Sequence, residues 1–324
     1  MYYFECEDVN EAFINVIQRI KSDGSEISKQ QTKIKEIYPV AIRIKNPETG
    51  ILYVKNRSYN PAFMIAETLW NLTAQTEHWL VNYNQKYNTY FTNGKLLAGY
   101  GNRIFNWKDE VNQITKLVDL LRKNPLSQHG TIIVTDPSSD LDNPIFVPCI
   151  TLIKFRIREN RLHMSTFMRA QDMWLGFPYD AHLLLSLFQL VSSLLEIRMG
   201  DYYHYCDVAR LYERNYIESE EIARFDTTLS RNISMELDAN SAFESLERYK
   251  YLIVNLPENL MRLADKVPEY WANSIKTCYA YNLIKRGNFE LAIDAINSIS
   301  NVFKDQFFNW SRKYDPTFYR RLIK

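Results

Sequence analysis

The spacing of hydrophobic and polar residues predicts that strands and helices are interleaved in the first third of the chain. Apolar side chains recur at helical spacing over residues 3–21, whereas IYPVAIRIK, at 37–45, alternates as strands do. The segment ILYVKNRSY, at 51–59, is a second strand candidate, and a long helical pattern follows over residues 61–88. An α+β fold is therefore expected.

The middle of the chain contains the clearest short-range signal. The segments ITLIKFRIR and RLHMSTFMR alternate and are joined by Glu159-Asn160, which predicts a β-hairpin. Three further elements are predicted: an amphipathic helix at 108–123, a buried helix at 181–197 and a Tyr-rich strand at 201–212.

The pattern becomes wholly helical after about residue 236. We therefore predict an α+β core domain over 1–235, with a mixed sheet packed against helices, and an all-helical extension over 236–324 packed on it. Such an extension can be a lid, a dimer surface or simple packing, and the pattern does not distinguish these roles.

Composition narrows the class of protein. The 324 residues are 46% hydrophobic and 24% charged, as in ordinary globular proteins, and the net charge of +1 disfavours nucleic acid as the main partner. The apolar stretch 183–195 is too short to span a membrane, and the start lacks the pattern of a signal peptide. The four cysteines are widely scattered without zinc spacing, so we expect a cytoplasmic protein with no bound metal.

One cysteine stands at a position where chemistry is conceivable. Cys149 lies at the entrance to the first hairpin strand, and Arg169 lies at the end of the second. A cysteine in apolar sequence is usually a small buried hydrophobe, but a neighbouring cation would stabilise its thiolate, and hairpin pairing would supply that cation. The segment RAQDMWLGFPYD, at 169–180, adds two carboxylates directly before the buried helix. This combination is more typical of a site than of a plain loop.

These residues are part of a larger set of ordered motifs. The motifs are Ala66-Glu67-Thr68-Leu69-Trp70, Gly99-Tyr100-Gly101, Pro148-Cys149, Arg169-x-x-Asp172, Leu175-Gly176-x-Pro178-x-Asp180 and Leu211-Tyr212. Together they resemble the thymidylate synthase family over roughly residues 25–215. The resemblance implies a thymidylate synthase-like fold, a homodimer, a pyrimidine nucleotide substrate and 5,10-methylenetetrahydrofolate as co-substrate.

The resemblance also implies roles for the catalytic residues. The Cys149 thiolate would add to C6 of the pyrimidine, which places carbanion character on C5. Arg169 would favour the thiolate and contact the nucleotide phosphate, while Glu67 and Tyr100 would organise proton transfer and water. Asp172 would join the catalytic set.

Further positions are implied to bind the two small molecules. Asp172, Gly176 and Trp70 would contact the folate, and Tyr212 would hydrogen-bond the sugar hydroxyl. Without the resemblance, the residue types alone would favour a surface salt bridge for Glu67 and a buried phenol for Tyr100.

The most informative departure from the family pattern is Asp180. Uracil-specific members have an asparagine here, whereas a carboxylate suits the exocyclic amine of cytosine. In this respect the chain is most similar to the cytidylate hydroxymethylases, in which water captures the one-carbon intermediate and gives a 5-hydroxymethyl product. The alternative interpretation of Asp180 is a helix N-cap.

Other departures concern the sugar and the phosphate. Ala170 and Arg210 replace a serine and a histidine near the ribose, which keeps both CMP and dCMP open. Gln128 and His129 stand where an arginine pair would reach the partner subunit's phosphate site, and Lys29 is the nearest match to a further phosphate arginine. Each lost charge-assisted contact costs roughly 1.5–3 kcal/mol.

Two alternative functions follow from these departures. One is reductive methylation of a uridylate, which Asp180 opposes. The other is a non-catalytic paralogue that binds a nucleotide or a protein partner, which the lost phosphate arginines favour and the intact Cys149 opposes. Replacement of Cys149 by alanine distinguishes them, because it abolishes turnover but not binding.

Overall fold

The structure is a computed structural model that describes residues 1–29, 32–48, 50–54, 57–96, 99–142, 147–222, 235 and 237–322. The strands are β1 (Tyr2–Cys6), β2 (Ser25–Lys29), β3 (Thr32–Ile37), β4 (Val40–Ile44), β5 (Thr131–Ile133), β6 (Ile150–Arg158), β7 (Arg161–Met168), β8 (Gln171–Asp172), β9 (Met199–Cys206) and β10 (Ala209–Tyr212). The α-helices before residue 236 are α1 (Val9–Asp23), α2 (Pro61–Leu72), α3 (Tyr100–Phe105), α4 (Gln113–Lys123), α5 (Phe177–Leu195) and α6 (Tyr216–Ile222). The later helices are α7 (Ala242–Asn255), α8 (Leu260–Ala264), α9 (Glu269–Lys285), α10 (Phe289–Asn297), α11 (Asn301–Tyr314) and α12 (Pro316–Leu322).

The larger sheet has six strands in the order β1-β4-β9-β7-β6-β5 and mixes parallel and antiparallel pairs. Its centre is the predicted hairpin, in which β6 and β7 pair antiparallel. The turn residues Glu159 and Asn160 both have positive φ, 52° and 56°, as a two-residue hairpin turn requires. The hairpin prediction is therefore confirmed, and the mixed α+β character with it.

The smaller sheet has the order β2-β3-β10-β8 and corrects one strand prediction. The Tyr-rich segment 201–212 is not one strand but two, which belong to different sheets. β9 lies in the larger sheet, whereas β10 pairs with β3 and with β8. This crossing carries the chain from the large sheet to β10, which pairs with the strand that contains Asp172.

The first third of the chain also differs from the pattern. Residues 3–21 begin as β1, and α1 starts only after Asp8, whose side chain accepts hydrogen bonds from the N–H groups of Asn10 and Glu11. No strand forms over 51–54 or 57–59, the described parts of the second candidate. The long helix predicted over 61–88 ends at Leu72, because the chain turns through Ala74 with a φ of 50°. Two 3-10 helices, His78–Asn82 and Gln85–Tyr90, follow.

Two other helices differ in where they begin. α5 begins at Phe177, four residues before the predicted start, so that Asp180 falls in its first turn. The helix predicted over 108–123 begins only at Gln113.

The C-terminal helices share one hydrophobic core with the rest of the chain. A buried polar chain crosses the junction: Thr68 of α2 and Tyr270 of α9 both hydrogen-bond His182 of α5, with 2.7 Å between Thr68 Oγ1 and His182 Nδ1. Burial lowers the pKa of His182 to about 3, so the ring is neutral and bridges two hydroxyls. None of the helices in the described part of the chain is long and apolar enough to cross a membrane.

Candidate active site

Cys149 lies directly before β6 and is half-buried. Its backbone N–H donates to the Tyr100 hydroxyl at 3.3 Å, and its carbonyl accepts from the Arg169 N–H at 2.9 Å. Burial raises the pKa of the Cys149 thiol and the Asp180 carboxylate raises it further, while Arg169, the Tyr100 hydroxyl and Arg210 lower it. The thiol thus lies among the groups that decide whether it becomes a thiolate.

Arg169 ends the second hairpin strand and lies beside the segment that leads into Cys149. Its Nε donates to the Pro148 carbonyl at 3.0 Å, and its Nη2 donates to the Val147 carbonyl at 2.9 Å. These two bonds fix the guanidinium next to the nucleophile. The hairpin therefore brings Cys149 and Arg169 together as the sequence predicted.

Tyr100 reaches Cys149 because α3 packs very closely on α2. A Cβ on the following residue, Gly101, would lie 2.0 Å from the Asn71 carbonyl oxygen, so only glycine fits at this contact. The Gly101 N–H donates to the Asn71 side chain at 2.8 Å. The second glycine of the motif is thus explained by the approach of two backbones, and the first by the Trp70 ring, which would lie 2.5 Å from a Cβ on Gly99.

Glu67 lies on α2 and accepts a hydrogen bond from the Tyr87 hydroxyl. Burial raises the pKa of Glu67 to about 8, the hydrogen bond from Tyr87 opposes this shift, and the Asp180 carboxylate adds to it. At neutral pH the carboxyl is mostly protonated. It can therefore donate as well as accept, which a group that organises water and protons requires.

Asp180 lies in the first turn of α5 and accepts a hydrogen bond from Gln171 Nε2 at 2.8 Å. Burial raises the pKa of Asp180 to about 6, while the bond from Gln171 lowers it. A Cβ on Gly176 would lie 2.9 Å from Gln171 Nε2 and 3.2 Å from Asp180 Oδ2, so this pair depends on a glycine there. The N-cap of α5 is Gly176, so Asp180 is not the N-cap.

Asp172 ends β8 and closes the turn before α5. Its Oδ1 accepts from the Trp174 and Leu175 N–H groups, both at 2.9 Å, and its Oδ2 lies 3.9 Å from Arg214. Burial raises the pKa of Asp172, while the two N–H bonds lower it. The carboxylate therefore shapes the Leu175–Gly176 bend.

Several of these groups open onto one cavity of about 650 Å³, whereas Tyr100 and Arg169 contact Cys149 without lining it. The predicted residues that line it are Glu67, Cys149, Asp172, Gly176 and Asp180. The sequence analysis missed others, of which the most notable are Arg57, Lys86, Tyr87, Tyr179, Tyr281, Lys285, Trp310 and Tyr314. Among the missed residues, Tyr87 contacts Glu67. In the sequence, only the richness in aromatic residues over 79–91 pointed to it.

Two of the predicted nucleotide-binding residues, Arg210 and Tyr212, are not among the residues that line the cavity and are held by other residues. Arg210 Nε donates to Glu36 at 2.8 Å, and the Arg214 guanidinium lies 4.5 Å from the centre of the Tyr212 ring. Arg210 is still close enough to lower the pKa of the Cys149 thiol. Ala170 is half-buried between Arg169 and β8.

The other predicted residues are not among the described residues that line the cavity. Trp70 is buried, and its Nε1 donates to the Glu77 carbonyl at 2.9 Å. It therefore stabilises α2 and does not line the cavity. Gln128 and His129 are exposed on the loop before β5, where Lys154 Nζ lies 3.4 Å from the Gln128 carbonyl oxygen. Lys29 ends β2, and its side chain lies outside the described part of the structure. Within the ranges that the structure describes, no group of three His, Cys, Asp or Glu side chains could hold a metal ion.

The chain is similar to a known protein family and to several known proteins. The family model described as thymidylate synthase matches residues 11–259. The chain is 23% identical over 288 residues to a deoxyuridylate hydroxymethyltransferase of Bacillus phage SP01, covering 79% of this chain and 75% of that protein. It is 25% identical over 228 residues to a putative thymidylate synthase of Methanothermobacter marburgensis, covering 69% of this chain and 98% of the other. A putative thymidylate synthase of Methanosarcina mazei is 24% identical over 220 residues, with 68% and 93% covered.

Proposed function

Since the chain belongs to the thymidylate synthase family, we propose that it transfers a one-carbon unit from 5,10-methylenetetrahydrofolate to C5 of a cytosine nucleotide, CMP or dCMP, with water as the final acceptor. The observation that carries this proposal is the Asp180 carboxylate, which lines the same cavity as Cys149 and Glu67. The 5-hydroxymethyl product is favoured by the similarity to a phage protein described as a deoxyuridylate hydroxymethyltransferase.

Asp180 favours cytosine through the hydrogen bonds it can make. With a pKa of about 6 it is mostly ionised at neutral pH, and an ionised carboxylate only accepts hydrogen bonds. The exocyclic amine of cytosine donates to such an oxygen, whereas the O4 of uracil would face it with lone pairs on both atoms. Gln171 holds Asp180 in place and leaves its other oxygen for the base.

The chemical steps need a nucleophile, a proton carrier and water. The Cys149 thiolate adds to C6 of the base, which makes C5 nucleophilic, and Arg169 stabilises the thiolate. After C5 has bonded to the methylene carbon of the folate, loss of the C5 proton breaks the bond between that carbon and the folate nitrogen, so that tetrahydrofolate leaves and an exocyclic methylene group remains. Water then adds to this exocyclic carbon. Departure of the Cys149 sulfur then restores the aromatic ring. No group is oxidised or reduced in the net reaction, so hydride transfer is not required.

Glu67 and Tyr100 lie where they can move protons during these steps. Glu67 is protonated at neutral pH and borders the cavity together with Asp180, so it can protonate the base or orient the incoming water. The Tyr100 hydroxyl already accepts from the Cys149 N–H, which leaves its own proton free to donate. Both residues act next to the carbon atoms that react.

The same cavity would also hold the folate. Bound folate supplies a methylene group at the oxidation level of formaldehyde. We assign Asp172 and the bend at Gly176, both of which line the cavity, to contacts with the folate. Arg57, which is 2% exposed, has an Nε atom without a hydrogen-bond partner among the described residues and faces the same cavity. A ligand that carries an anionic or carbonyl group would suit a cavity lined by this cation.

Release of tritium from C5-labelled CMP, dCMP, cytidine and dUMP, measured with methylenetetrahydrofolate present, tests the proposal. We expect release from a cytosine nucleotide, with mass spectrometry showing the addition of a hydroxymethyl group. A hydroxymethyl product from dUMP alone would instead match the phage relative, which is described as a deoxyuridylate hydroxymethyltransferase, and this is the second candidate function. A methyl product from dUMP would show a thymidylate synthase, and no release from any substrate would favour a non-catalytic paralogue.

A further inference from the structure

The C-terminal extension contributes a whole side of the cavity. Tyr281 and Lys285 of α9 and Trp310 and Tyr314 of α11 all line it. All four lie beyond residue 259, where the match to the family model ends. This side of the cavity is therefore built by a part of the chain that the family domain does not include.

This side of the cavity is rigidly packed. The Tyr281 ring stacks on Tyr83 with centres 5.5 Å apart, and its hydroxyl donates to the Tyr83 carbonyl at 3.3 Å. The Trp310 ring lies 5.4 Å from Tyr281. Asn282 donates to the Tyr83 hydroxyl at 2.9 Å, which ties α9 to the 3-10 helix on the opposite side. The aromatic surface is thus formed before any ligand binds.

α11 is also joined to the segment that carries Arg57. The Tyr53 hydroxyl donates to Asp305 at 2.8 Å, Gln306 donates to the Leu52 carbonyl at 2.9 Å, and Ser58 donates to the Asn309 carbonyl at 3.1 Å. These bonds fix α11 and the segment 52–58 relative to each other. The extension is accordingly a structural part of the cavity and not a separate cover.

Charge is distributed unevenly around the cavity. The Asp180 carboxylate raises the pKa of Glu67 and of Cys149, and the Asp172 carboxylate raises that of Asp180. The three carboxyl groups therefore cluster near Cys149. The cationic side chains that line the cavity are Arg57, Lys86 and Lys285, and none of them forms an ion pair with another described residue. Lys86 and Lys285 are exposed, so positive charge lies toward solvent. Lys285 Nζ lies 5.5 Å from the centre of the Tyr281 ring.

We infer that the helical extension binds the aminobenzoyl-glutamate part of the folate co-substrate, with Tyr281, Trp310 and Tyr314 contacting the ring and Lys285 a glutamate carboxylate. This inference rests on the proposed function. An aromatic wall with a cation at its outer edge matches an aryl group that ends in carboxylates. A phosphate, in contrast, gains nothing from aromatic contacts and is best held by arginine forks or backbone N–H groups.

Titration calorimetry of the full chain with p-aminobenzoyl-glutamate and with methylenetetrahydrofolate, each with and without bound CMP, tests the inference. We expect Lys285→Gln to weaken binding of both probes about five- to tenfold, as loss of one charge-assisted contact would. The affinity for CMP and the unfolding midpoint should stay unchanged, because Lys285 is exposed. Tyr314→Ala, at a side chain that is 57% exposed, should act in the same direction.

Arg286→Gln is the matched control, since Arg286 is the next residue along the chain and is exposed but does not line the cavity. It should leave every affinity unchanged. Unchanged folate affinity in Lys285→Gln, or a loss confined to CMP, would overturn the inference and leave the proposed function standing. Failure of the unaltered chain to bind either folate probe would reject both.

Discussion

The Tyr87 hydroxyl donates a hydrogen bond to Oε1 of Glu67 inside the cavity. The Tyr87 ring is held by Phe63, with ring centres 5.2 Å apart, and by Tyr90 at 5.7 Å. Glu67 is therefore not a free carboxyl: its pKa results from burial, which raises it, and from this hydrogen bond, which lowers it. Tyr87 is a positioning residue that adjusts the protonation of Glu67.

Replacement of Tyr87 by phenylalanine should raise the pKa of Glu67, because the ionised carboxylate loses a donor. A hydrogen bond to a charged group is worth about 1.5 kcal/mol, which corresponds to a shift of about one pH unit. We expect the limb of the pH–rate profile that reports Glu67 to move to higher pH by that amount. The control is Tyr90→Phe, which keeps the donor to Glu67, and an equal displacement in both variants would contradict the assignment.

Asp180→Asn should change which base is preferred. An amide can donate to O4 of uracil and accept from its N3–H, whereas the carboxylate accepts from the amine of cytosine. We expect the ratio of kcat/KM for dCMP to that for dUMP to fall at least about tenfold, as one exchanged hydrogen-bond pair would produce. Gln171 can still hydrogen-bond the new side chain, so the fold should be retained. An unchanged ratio would show that Asp180 does not read the base.

Arg169→Gln should make the Cys149 thiol harder to ionise. Arg169 lowers the pKa of this thiol and is held beside it by the Pro148 and Val147 carbonyls. We expect the pH dependence of Cys149 alkylation by iodoacetamide to shift to higher pH and tritium release to fall. Arg19→Gln, at an exposed arginine of α1 that pairs with Asp23, is the control and should change neither quantity. Cys149→Ala should abolish turnover and the covalent adduct in mass spectrometry while nucleotide binding persists.

The relationships around Cys149 follow from local sequence, whereas those around Glu67 do not. The hairpin register alone places Cys149 near Arg169. Asp180 lies only a short way further along the chain, in the first turn of α5. Tyr87 could not be placed, because the apolar pattern of α2 continues past Leu72 and conceals the left-handed turn at Ala74. Lys285 and Tyr314 lie in helices whose hydrophobic pattern predicts that the helices pack on the core but not that they border a cavity. Their approach to the cavity depends on how α9 and α11 dock on the catalytic core, which is a long-range property.

The outer face of the six-stranded sheet should pack against a second copy of this chain. Phe167 and Tyr205 stack there at 4.8 Å, and the Arg156 guanidinium lies 5.0 Å from the Tyr203 ring, all four side chains being only partly buried. Asp201 and Arg43 add both signs of charge on the same face, which suits a two-fold contact. Sedimentation equilibrium should give twice the chain mass of 38.4 kDa, and Tyr205→Glu should give a monomer. A monomeric unaltered chain would reject this prediction.

Glu67→Gln should stabilise the protein above neutral pH while it removes catalysis. The folded-state pKa of Glu67 is about 8, against an ordinary value of 4.5. A carboxyl whose pKa is raised by folding favours the folded state most below pH 4.5, and this contribution is lost as the pH rises through about 8. Glutamine is neutral at every pH and can still accept from Tyr87, so it avoids the cost of ionising a buried group. We expect the free energy of unfolding of the variant to exceed that of the unaltered chain by on the order of 2 kcal/mol at pH 9 and to match it closely at pH 5. Urea unfolding at the two pH values measures this difference. A variant with equal stability at both would show that Glu67 is solvated and has an ordinary pKa.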